Sequence, residues 1–192
     1  MHISLVIFKL RHICVFSINK DMESNKNLVF LGMMGSGKTT IGKIISKKLN
    51  KKFIDIDYEI EGKEGMKISD IFEKKGEPYF RKLEEKISLL NLKKTKSIIS
   101  LGGGAFVNKE VQNEILKNHI SIWLKWSNKY LINRIRKSQK RPLAMKLNDD
   151  ALDKLMNKRS KIYAKAKFQI KCDKFSKDEI VKKIVKLLNE TN

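Results

Sequence analysis

From Asn27 onward, short apolar runs alternate with longer stretches whose apolar residues recur every three to four positions. A short apolar run reads as a buried strand, and the longer period reads as an amphipathic helix. Strands are expected at 28–31, 53–56, 97–101, 120–124 and 168–170, and helices at 38–49, 69–75, 79–93, 108–118, 127–137, 150–165 and 176–189. Asn108, Ser127 and Ser176 stand where N-caps belong. Strands alternating with helices in this way predict an α/β fold, a parallel sheet covered on both faces. The patterning shows no internal repeat and no linker. It is weakest over RKSQKRPLAMKLNDD, residues 136–150, a polar stretch with a proline that is expected to be a mobile loop.

Residues 1–26 follow a different pattern. MHISLVIFKLRHICVFSI mixes apolar and basic residues without a capping signal. Lys9, Arg11 and His12 interrupt the apolar core that a signal peptide needs, and no small-residue cleavage site follows. The segment is expected to be a disordered extension, with Met22 as an alternative start, and the domain to occupy 27–192.

The chain has 192 residues, enough for one domain with a substantial core. No apolar run approaches the ~18 residues of a membrane span. Cys14 and Cys172 form neither a disulfide framework nor a metal-ligand spacing, which favours a reduced, cytoplasmic setting. The net charge of +21 invites a nucleic-acid partner. The lysines, however, are spread through helical segments among glutamates, as in EEKISLLNLKK, and a compositional bias explains them more simply. No nucleic-acid or membrane partner is therefore expected.

The octapeptide GMMGSGKT, Gly32 to Thr39, joins the first expected strand to the first expected helix. It fits G-x-x-x-x-G-K-[ST] in the strand-to-helix context that this motif requires. Glycines let successive N–H groups turn toward one point, and the helix aims its positive end at the same point. Gly35, Ser36, Gly37, Lys38, Thr39 and Thr40 are therefore expected to bind a nucleoside triphosphate. Lys38 would lie on the β- and γ-phosphates and the Thr39 hydroxyl on Mg²⁺. No N-K-x-D guanine signature is present, and the strand IISL runs into glycines rather than an acidic pair. A small nucleotide-dependent kinase fits these features better than a GTPase or a motor.

Lysine is the default cation here, and only six residues are arginine: Arg11, Arg81, Arg134, Arg136, Arg141 and Arg159. A guanidinium offers a planar fork for carboxylate or phosphate, so these positions stand out. Both prolines, Pro78 and Pro142, lie beside one of them. Six of the ten glycines fall in two loops, 32–37 and 102–104. In FIDIDY, strand alternation would put Asp55 and Asp57 on one side, at a strand end where α/β sheets bind ligands. In GEPYFRKLEEK, Arg81 and Glu84 are neighbours on one helix face, so Glu84 can aim the guanidinium. In LGGGAF, a backbone N–H can approach a small ligand closely.

Taken in order, GMMGSGKT, DID, GEPYFRKLE, GGG and RPL resemble the shikimate kinase family over essentially the whole of 27–192. The resemblance implies a P-loop NTPase fold. This is a three-layer sandwich with a central five-stranded parallel sheet and a mobile lid. It implies ATP-dependent phosphorylation of the shikimate 3-hydroxyl, on the path to chorismate, by a monomer that needs one Mg²⁺. It further implies that Asp57, Arg81, Gly103 and Arg159 contact shikimate and that Asp55 reaches the metal through water. Lys38, Asp57 and Arg141 would be catalytic, with Arg141 on the lid, and Arg134 would lie near adenine. Arg159 sits in RSKIY, where Lys161 replaces the family's usual proline. Two other readings remain open. One is a kinase for another small anionic polyol; the other is a non-catalytic nucleotide-binding protein associated with nucleic acid.

Overall fold

The structure, a computed structural model, describes residues 25–137 and 147–190. The expected extension, apart from its last two residues, lies outside the described residues, as does most of the expected loop with Arg141. The described elements are β1 (Leu28–Leu31), α1 (Lys38–Leu49), β2 (Phe53–Asp55), α2 (Ile56–Glu64), α3 (Ile68–Leu92) and β3 (Ile98–Ser100). A 3₁₀ turn (Ala105–Val107) follows, then α4 (Lys109–Asn118), β4 (Ile120–Lys125), α5 (Asn128–Arg136), α6 (Asp149–Tyr163), β5 (Phe168–Lys171) and α7 (Lys177–Glu190).

The five strands form one parallel sheet in the order β2-β3-β1-β4-β5. β1 is flanked on both sides, Leu28 by Ile98 and Ile120, Phe30 by Ser100 and Ile122. Alternation along β1 divides the core. Val29 and Leu31 face one layer with Ile87, Val111, Leu131 and Leu152, whereas Leu28 and Phe30 face the other with Ile41, Ile45, Ile180 and Ile184. The first layer is thus α2, α3, α4, α5 and α6, and the second is α1 and α7. Both faces are apolar because both are covered.

After β1 the chain crosses to β2 at one edge, and after β3 it crosses to β4 on the other side of β1. The strand order therefore reverses beside the carboxyl end of β1, the place where open α/β sheets bind ligands.

Two expectations need correcting, the strand end at Asp57 and the cap at Ser127. The strand at 53–56 stops at Asp55, and Asp57 lies in the first turn of α2, a helix the sequence reading missed. Ile54 and Ile56 mimic strand alternation, but the Asp55 side chain accepts a hydrogen bond from Asp57 N–H (3.1 Å) and so caps the helix. The helices expected at 69–75 and 79–93 are both present within α3, separated at Gly76, whose φ of 78° and ψ of 169° break the helical path before Pro78. Ser127 occupies its N-cap position without a side-chain cap. Asn108 caps α4 through Val111 N–H. Ser176 and Glu179 cap α7 reciprocally, as a capping box.

Candidate active site

The loop between β1 and α1 is shaped by three glycines with positive φ, at 139°, 83° and 89° for Gly32, Gly35 and Gly37. Gly37 takes the N-cap of α1 in a left-handed conformation that a side chain would strain. Lys38 is buried, and its Nζ donates to the carbonyls of Gly32 (2.8 Å) and Met33 (3.1 Å), which draws the charge over the loop. Thr39 donates from Oγ1 to Asp55 Oδ2 (2.7 Å), so the two residues expected at the metal lie side by side across α1 and β2. Thr40 is exposed in the first turn of α1.

Asp57 follows on α2. Burial, and then the nearby Asp55 carboxylate, push its pKa up to about 7, against the pull of Lys38. Asp57 nonetheless keeps solvent-exposed surface, and water there moderates the effect of the crowded protein. A carboxyl poised near neutrality suits a group that exchanges a proton with a substrate.

The second half of the site gathers around Gly102–Gly104, beyond β3. A Cβ at Gly102 would collide with Glu84 Oε1 and come within 2.7 Å of Asp57 Oδ1. At Gly103 it would come within 3.2 Å of Met34 N and 3.8 Å of Arg159 Nη1, and at Gly104 it would collide with the Arg81 guanidinium. Three successive glycines are needed because a carboxylate pair, the phosphate loop and two arginines crowd one short segment. Arg81 and Arg159 line a shared cleft of about 350 Å³ with Glu84, Gly104, Leu155 and Ile162.

Arg81 is fixed by its own helix. Its Nη1 donates to Glu84 Oε2 (2.7 Å) and its Nε to Glu77 Oε1 (3.0 Å), while the rings of Phe72 and Phe80 lie beside the guanidinium. Glu77 is at the rim, but Glu84 is buried. Burial raises the Glu84 pKa and outweighs the attraction of Arg81 and Arg159. The Arg81–Glu84 pair is therefore a half-buried aiming device, its carboxylate inside and its guanidinium partly open to the cleft, rather than a fully exposed salt bridge, whose worth would be small.

Not every expected residue joins this cluster. Arg134 is exposed on α5, with no partner among the described residues, and Arg141 lies outside them. Two contributors were not foreseen. Tyr163, buried one helical turn after Arg159, donates its hydroxyl to the Gly103 carbonyl and approaches Met33 Sδ at 3.7 Å. The i, i+4 spacing from Arg159 was the available signal. Trp126, just beyond β4, donates from Nε1 to the Ser36 carbonyl (2.9 Å). One of only two tryptophans, placed at the ligand end of a strand, was the hint.

A phosphate loop at the switch point of a parallel sheet, facing a cleft with two guanidinium groups, defines a P-loop small-molecule kinase. A sequence model of the family described as shikimate kinase matches residues 34–189. A shikimate kinase of Sulfurihydrogenibium sp. (strain YO3AOP1) is 42% identical over 160 residues, covering 83% of this chain and 96% of the relative. One from Bacillus subtilis (strain 168) is 39% identical over 172 residues, covering 85% and 89%. Among solved structures, shikimate kinase from Acinetobacter baumannii in complex with shikimate superposes with a TM-score of 0.83 at 28% identity, covering 91% of this chain and 98% of that one. The Aquifex aeolicus vf5 enzyme does so with a TM-score of 0.74 at 34% identity, covering 86% and 97%. The chain belongs to the shikimate kinase family and is a kinase.

Proposed function

We propose that the protein transfers the γ-phosphoryl group of ATP to the 3-hydroxyl of shikimate, giving shikimate 3-phosphate and ADP. The observation that carries this reading is the convergence of Arg81 and Arg159 on the Gly102–Gly104 segment beside the phosphate loop. Two forks facing one cleft select a small acid over a neutral polyol. The Acinetobacter baumannii protein of the same fold holds shikimate, which supports the choice of acid.

In this reading the shikimate carboxylate lies on Arg81 and Arg159, with Glu84 and Tyr163 holding the pocket in shape. Asp57 accepts the hydrogen of the reacting hydroxyl and takes its proton as the phosphoryl group arrives. Lys38, the turned N–H groups of residues 35–39 and the start of α1 meet the negative charge of the phosphates, joined by Arg141. Phosphoryl transfer needs position and charge neutralisation more than covalent chemistry, which is what these groups supply.

Thr39 and Asp55 suit Mg²⁺, because a hydroxyl and a carboxylate 2.7 Å apart form a hard all-oxygen set. Among the described residues no group of three or more His, Cys, Asp or Glu could hold a metal, so the remaining ligands would be phosphate oxygens and water. When bound, the ion would neutralise phosphate charge. We further place the protein in the cytoplasm as a monomer, with Arg134 near adenine. No described helix is long and apolar enough to cross a membrane.

Coupled ADP release, with and without shikimate, tests the proposal. Shikimate-dependent release is expected. Release indifferent to shikimate, or elicited only by a different polyol, would refute it.

A further inference from the structure

We infer that Trp126 is a positioning residue for the nucleotide: its indole N–H sets the orientation of the Ser36–Gly37 peptide, and so points one phosphate-binding N–H of the loop. The inference rests on the reading of residues 32–39 as a triphosphate cradle.

The argument begins with peptide geometry. In a planar trans peptide the carbonyl and the following N–H point in opposite directions. The Ser36 carbonyl is held outward by Trp126 Nε1 at 2.9 Å, across ninety residues of sequence. The N–H of Gly37 is thereby turned away from the indole, the side on which the triphosphate reading puts a phosphate. Gly37 itself, at φ 89° and without a side-chain cap, does little to resist rotation of that peptide. The restraint must come from outside the loop.

Trp126 is itself fixed on several sides. It stacks on Tyr130 with ring centroids 4.2 Å apart and planes 10° from parallel. It packs against both core layers at once, being the partly buried residue common to the two. The next residue, Ser127, donates its backbone N–H to Asp173 Oδ1 (2.7 Å), which ties the start of α5 to the loop after β5. The loop also touches this strand end at Gly32, where a Cβ would come within 3.0 Å of the Leu124 carbonyl.

The Ser36 side chain cannot replace this restraint. Its Oγ is buried with no hydrogen-bond partner among the described residues, so the backbone carbonyl carries the only polar tie described from Ser36 to β4 and α5. An indole ring is suited to the task. It offers one donor, no acceptor, and a large rigid body that stacking holds still.

The test is calorimetric titration of the full-length protein with MgADP and, separately, with shikimate. Two variants are used: Trp126→Phe and replacement of Trp126 by 3-benzothienylalanine. The second keeps the shape and the stack while removing only the N–H. Both are expected to bind MgADP about fivefold more weakly, the worth of one ordinary hydrogen bond, with shikimate affinity unchanged. The ATP KM should rise by the same factor. Wild-type MgADP affinity in the benzothienyl protein would overturn the inference, and so would a lowered Tm with unaltered MgADP affinity in both variants. If wild-type protein binds MgADP but phosphorylates no shikimate, the functional reading falls and this inference stands.

Discussion

The two ends of the parallel sheet are built from similar polar residues used in opposite ways. At the amino ends of the strands, Asn27 is fully buried and every polar group it carries has a partner. Its Nδ2 donates to the carbonyls of Leu92 (2.9 Å) and Lys94 (2.6 Å), its Oδ1 accepts from Ser97 N–H (2.9 Å), its N–H meets His119 Nδ1 (3.2 Å) and its carbonyl takes Ile120 N–H (2.9 Å). At the carboxyl ends, Asp57 and Glu84 have raised pKa values, and Ser36 Oγ has no partner. One end pairs its polar groups with one another, His119 Nε2 excepted, and so binds β1, α3, β3 and β4 together. The other leaves them under electrostatic tension, where a substrate can relieve it. Stability and function are thus separated along one strand, a distance of four residues in β1.

The largest expected effect breaks the active end alone. Lys38→Ala should lower kcat by about 10³-fold, as removal of a positioned charge from a transition state does. Its Tm should hold or rise, since a buried cation is expensive to keep. Steady-state kinetics with a parallel thermal melt checks both halves.

Asn27→Ala should do the reverse. Three side-chain hydrogen bonds at about 1 kcal/mol each predict a loss of about 3 kcal/mol in unfolding free energy, read by urea titration. The shikimate and ATP KM values of the folded protein should not move.

The smallest effect sharpens the comparison through pH. His119 must keep Nδ1 unprotonated to accept the Asn27 N–H, and burial lowers its pKa, against Glu114 and with Lys26. The unfolded chain binds the proton at about 6.5, before the folded protein does, so stability is lost as pH falls below that value and is flat above it. Because the raised pKa of Asp57 contributes a slope of opposite sign over the same range, the His119 contribution is read as a difference. Thermal melts from pH 8 to 5 of the wild type and of His119→Asn should diverge below about 6.5, with the wild type losing more stability as pH falls.

Much of this division was legible before the fold was known. Strand number and the phosphate loop follow from local patterns, and scarce residue types single out Arg81 and Arg159. That Asp55, Asp57, Arg81, Gly103 and Arg159 belong to one site is what the resemblance to the shikimate kinase family implies. The rest depended on contacts that no local pattern encodes. Asp55 caps a helix instead of extending a strand, because its carboxylate competes for Asp57 N–H while Ile54 and Ile56 keep the strand-like alternation. The glycines at 102–104 identify a tight loop, but that Glu84, the Met34 backbone nitrogen and Arg81 each press on one of them emerges only in three dimensions. Trp126 and Tyr163 act through backbone carbonyls, and a carbonyl leaves no mark on the sequence.

The central claim is that two guanidinium groups, 78 positions apart by the numbers of Arg81 and Arg159, grip one carboxylate. A double-mutant cycle on shikimate binding, with Arg81→Lys and Arg159→Lys singly and together, tests it most directly. Each single change should weaken binding about 30-fold, the worth of a charge-assisted hydrogen bond of about 2 kcal/mol. The pair should be non-additive by about 0.5–3 kcal/mol, as for residues sharing one partner. Strict additivity, or single variants that bind shikimate like the wild type, would contradict it.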